Sequence, residues 1–213
     1  MDLSTPTVWK EAITALVAVD PELAGQEVVR AARLLVRLEA DPHLPDATPE
    51  RDHPARQRLD VLVKRLSQAF HAKPDRVILR TVAGELDSPD LLRMRLELLV
   101  DSVDLRDLST ELFALAEVVE GRPLAAYNAA FRLGARLGLL PAQWTPELLE
   151  EPARAMLRGE TLMSGLVAHS LIGAAGRRTG WAPVWRELLV ELRNHPHPDV
   201  RQGALELTTA TEL

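Results

Sequence analysis

A chain of 213 residues with 46% hydrophobic and 26% charged residues can bury a sizeable core and is too apolar for wholesale disorder. It has no Cys, which excludes disulfides, thiolate metal ligands and cysteine nucleophiles, and its net charge of −6 argues against a chain devoted to nucleic acid. No apolar run approaches the ~18 residues of a membrane span and no basic-then-apolar leader opens the chain, so the reading is a cytoplasmic protein without a membrane partner.

Leu, Ala, Arg and Glu dominate while aromatic residues make up only 4%, a composition that favours helix over strand. Proline sets the frame, because it occupies the first position of a helix without losing a bond. In chain order, helices are expected near 6–18, 21–39, 54–71, 74–86, 89–103, 109–120, 123–138, 146–158, 161–176, 183–194 and 198–209. Starts at Pro74, Ser109-Thr110, Pro146 and Pro183 lie 35, 37 and 37 residues apart, and a second series runs through Pro54, Pro89, Pro123 and Pro198. The member missing from the second series is expected near Thr161, where Gly159 breaks one helix and Thr161 caps the next. The two interleaved series give a leading helix and five helix pairs. The stretch 40–53, with Pro42, Pro45 and Pro49, is expected as a long loop.

The last pair carries the most specific local pattern. The stretch Leu188-Leu189-Val190-Glu191-Leu192-Arg193 leads through His195-Pro196-His197-Pro198 into Asp199-Val200-Arg201, and similar turns occur at Ser88-Pro89-Asp90 and His53-Pro54. This resembles the HEAT-repeat pattern of a Leu-rich first helix, a Pro-acidic-Val-Arg turn and a second helix. The resemblance implies one all-α domain over 1–213, a right-handed α-solenoid of about five antiparallel helix pairs plus the N-terminal helix. In such arrays the second helices line the concave side. Here the second helices carry net positive formal charge and the first helices net negative charge. The implied inner surface is therefore relatively basic, with Arg56, Arg58, Lys64 and Arg65 as its densest group, joined by Arg93, Arg95, Arg132, Arg136, Arg177 and Arg178.

Chemistry is sparse by comparison. His195 and His197 flank Pro196 in a turn, and no third ligand stands at a recognisable spacing, so they read as turn residues. Glu147, Glu150 and Glu151 read as a solvated helix start. Trp181 and Trp185, four residues apart, are either packing residues or, with Arg177 and Arg178 upstream, a surface that stacks on a partner; Trp181 is kept as a binding candidate. Gly173-Ala174-Ala175-Gly176 lacks a strand and spaced glycines, and is expected to serve close helix packing and a C-cap. No catalytic, cofactor or metal residues are assigned. The leading expectation is a non-enzymatic scaffold that binds a protein or peptide along its concave face. The alternative is nucleic-acid binding on the basic second-helix face, in the manner of the HEAT-like alkylpurine DNA glycosylases. Self-association through an exposed repeat end is the third.

Overall fold

The computed structural model describes residues 6–40, 59–67, 76–104, 107–138 and 145–209, which are helical with short connections and include no strand. The start at His53-Pro54, the 41–53 part of the Pro-rich loop, Pro74, Arg56 and Arg58 lie outside the described residues. The chain divides into two compact units, Met1–Ser102 and Val103–Leu213.

The first unit contains α1 (Pro6–Val19), α2 (Pro21–Ala40), α3 (residues 59–67) and α4 (Arg76–Glu85). A 3-10 turn at Pro89–Leu91 then leads into α5 (Leu92–Ser102). Pro21 takes the first position of α2, and the Asp20 carboxylate accepts from the Leu23 N–H at 3.0 Å, satisfying a donor that has no partner inside the helix. Helix α1 packs on α2, α2 on α4 and α4 on α5. Val28, Leu59, Val63, Leu66, Leu79 and Leu98 meet in one core, none more than 1% exposed. Apolar spacing did not reveal that α5 also buries Glu97 and Asp101, one turn apart. The Ser67 hydroxyl on α3 donates to the Asp101 carboxylate and ties the two helices together.

The second unit contains α6 (Leu108–Val118), α7 (Pro123–Gly138) and a 3-10 turn (Pro146–Leu149) that runs into α8 (Glu150–Leu157). Then come α9 (Leu162–Arg178), α10 (Pro183–Arg193) and α11 (Pro198–Glu206). Contacts run along two series, α6 to α8 to α10 and α7 to α9 to α11, and α9 touches every other helix of the unit. This explains its composition. Met163 to Ala168 and Leu171 to Gly176 are all buried, so α9 is apolar almost all round, as a helix enclosed by neighbours must be.

The proline frame holds at Pro123, Pro183 and Pro198, each the first residue of its helix. Pro89 and Pro146 differ, opening a tight 3-10 turn that relaxes into α-helix, a common way to begin one. Thr161 is the cap of α9, its hydroxyl accepting from the Ser164 N–H at 3.1 Å. Gly176 does not end that helix. The helix continues to Arg178, and the chain turns where Gly180 and Trp181 both take φ of 60°. Gly176 is needed for another reason: a Cβ there would lie 2.5 Å from the Trp181 ring.

Candidate functional site

The residues expected on a basic inner surface are placed in several different environments. Lys64 on α3 and Arg93 on α5 both pair with Asp60, the lysine at 2.7 Å. Burial opposes the charge on Asp60, but these two cations outweigh it and hold its carboxyl below the ordinary value. Two of the named cations thus share one carboxylate inside the first unit. Arg65 is exposed and Arg95 half-buried in the same unit. In the second unit Arg132 and Arg136 are half-buried, and Arg136 donates to the Val103 carbonyl at 3.3 Å. Arg177 and Arg178 are exposed at the end of α9.

Trp181 is not a surface contact. It is only 5% exposed and precedes α10, so it does not share a helical face with Trp185, which is buried within α10. A left-handed backbone at a non-glycine residue costs about 1 kcal/mol, offset here by laying the indole on the Gly176 backbone. The Trp181 N–H closes the turn by donating to the Gly176 carbonyl at 2.7 Å.

The two histidines of the last turn are capping hardware. His195 is buried; its Nε2 lies 3.0 Å from the Gly159 carbonyl and its Nδ1 accepts from the His197 N–H at 3.1 Å. One donor and one acceptor partner define the neutral ring protonated at Nε2. His197 in turn caps α11, its Nδ1 accepting from the Asp199 N–H at 3.3 Å. Among the described residues no group of three His, Asp or Glu side chains is arranged to hold a metal.

A groove of about 540 Å³ opens along α7, α9 and α11 of the second unit. Its walls follow helical spacing: Tyr127, Phe131 and Gly134 on α7, Leu166, Ser170, Gly173 and Arg177 on α9, Asp199, Gly203 and Glu206 on α11. Small residues let the three helices approach. A Cβ on Gly134 would sit 3.4 Å from the Ser170 hydroxyl, which donates to the Ala130 carbonyl at 2.8 Å. His169 ties α9 to α11, its Nε2 lying 3.2 Å from the Gly203 carbonyl. Tyr127 on α7 lies close enough to Asp199 on α11 for the carboxylate to act on its phenol.

These ties set the protonation of the groove. Burial, helped by the charge of Arg177, lowers the His169 pKa against the opposing pull of the Gly203 carbonyl and Glu206, so the ring is neutral and donates through Nε2. Burial first, and then the negative charge and hydrogen bond of Asp199, raise the Tyr127 pKa and keep the phenol protonated. What remains unusual is apolar surface in water: Phe131 is 79% exposed and Tyr127, one turn before it, 40%.

Among the described sequence candidates only Arg177 lies in this groove. Tyr127, Phe131 and His169 were missed, although an aromatic pair four residues apart stands out in a chain with one Tyr and three Phe. No protein-family model, curated protein or solved structure matches the chain.

Proposed function

We propose that this protein is a non-enzymatic helical-repeat scaffold, a short right-handed α-solenoid that holds a segment of a partner protein along its second helices. The observation that carries the reading is the α7–α9–α11 groove, an open channel with a fixed floor and an exposed aromatic wall. The two contact series of the second unit, first helices with first and second with second, supply the stacking that a repeat array needs. Both ring nitrogens of His195 and the Nδ1 of His197 are engaged by backbone groups, which supports a capping role for the last turn.

Nucleic-acid binding draws less support, because Asp60 engages Lys64 and Arg93 and a backbone carbonyl engages Arg136. A photo-crosslinking residue placed at Phe131, and separately at Val190 on α10, tests the scaffold reading in cells. Protein adducts from position 131 but not from position 190 are the expected result. Equal labelling from both positions, or salt-sensitive binding of a fluorescent duplex without protein adducts, would replace the reading.

A further inference from the structure

We infer that the segment received by the α7–α9–α11 groove carries a carboxylate close to an apolar side chain, the apolar group packing on Phe131 and the carboxylate pairing with Arg177. This rests on the scaffold reading and specifies the chemistry of its partner.

Arg177 is the starting point. Its side chain folds back over the groove instead of reaching straight into solvent: a Cβ added to Gly173 would meet Nη1 at 3.4 Å and Nη2 at 3.8 Å. No carboxylate among the described residues pairs with it, although Glu206 lines the same groove. A guanidinium is satisfied in water while the groove is empty. An apolar segment laid on Phe131 would strip water from its N–H donors, and a carboxylate brought with the segment would offset that loss. A carboxylate meets the planar fork with two parallel hydrogen bonds, which a neutral side chain cannot reproduce.

The rest of the groove narrows the partner further. Asp199 sits beside Tyr127 in the first turn of α11, where the helix end favours its charge as the last turn of α9 favours that of Arg177. Glu206 stands on the opposite wall and repels a uniformly acidic strand, so the carboxylate must be a local feature of an otherwise apolar or neutral segment. His169 donates Nε2–H to Gly203, which leaves Nδ1 as an acceptor for a backbone N–H of the incoming chain. The occupant is a mixed acidic–apolar peptide.

The test is a phage-displayed random peptide selection on the full chain, with enriched peptides resynthesised with fluorescein and titrated by anisotropy. Enriched sequences should share Asp or Glu within a few residues of Leu, Phe or Trp. Replacing that acid by its amide should weaken binding about tenfold, and Arg177→Gln should weaken the acidic peptide similarly while leaving the amide peptide little changed, the signature of a direct pair. Phe131→Ala should weaken both peptides. Because Phe131 and Arg177 are exposed, each variant should retain the helical circular dichroism of the parent. Peptides sensitive to Phe131→Ala but indifferent to Arg177→Gln would overturn the carboxylate pairing and leave the scaffold reading standing. Peptides indifferent to both, or no enrichment, would overturn the inference, with the crosslinking experiment deciding the scaffold reading separately.

Discussion

Each unit of this chain has an open groove, and the larger of the two is the less convincing site. The cleft between α2 and α4 of the first unit encloses about 960 Å³, against about 540 Å³ for the α7–α9–α11 groove of the second. In the first, both arginines of the wall are already engaged within the chain: Arg33 pairs with Glu85 across the cleft and Arg30 with Glu27. In the second, Arg177 lies over the floor without a carboxylate and Phe131 stands in water. Volume measures where a ligand fits. Unmet hydrogen-bonding capacity beside exposed apolar surface measures what a ligand would gain, and only the second groove offers both.

Three perturbations sharpen this contrast, the largest first. Gly176→Ala would force a Cβ to within 2.5 Å of the Trp181 ring, and overpacking of this kind costs about 2 kcal/mol. Denaturant titration should show that loss, whereas Gly84→Ala on α4, where a Cβ meets nothing within 4 Å, should leave stability equal or slightly higher.

The second perturbation is acid. The His169 pKa is lower in the folded chain than the ordinary 6.5, so the unfolded chain binds more protons between those two values. Stability contributed by the neutral ring is therefore complete above 6.5 and falls as pH drops from 6.5 toward the folded value. The melting temperature of His169→Gln should fall less over that window than that of the parent; an equal fall would remove His169 from the account. The smallest effect is expected at the first groove. Arg33→Ala breaks an exposed ion pair, and about 0.5 kcal/mol or less should be lost in denaturant titration. A loss several times larger would mean that the first groove is held together by its charges, contrary to the comparison.

Much of the helical plan was readable because proline and capping residues act locally. Pro123, Pro183 and Pro198 begin their helices, and Thr161 caps α9 where a proline is missing from the series. The site was not readable, because its parts come from three helices whose contacts are set by packing. Tyr127 and Asp199 are far apart in sequence yet line the same groove. Summing formal charge over each helix also hid the pairing that tempers its effect, since Asp60 sits between Lys64 and Arg93 and pairs with both. Trp181 misled for a similar reason. Its spacing from Trp185 suggested a shared face, but a positive φ before α10 turns it inward onto Gly176.

The most direct test of the central claim compares the two grooves with one ligand. A fluorescein-labelled acidic–apolar peptide from the selection would be titrated against Phe131→Ala and against Val77→Ala, the latter removing an exposed apolar side chain from the first groove. Binding should be about tenfold weaker for Phe131→Ala at an unchanged melting temperature, and unchanged for Val77→Ala. Equal losses in both variants, or a loss confined to Val77→Ala, would contradict it.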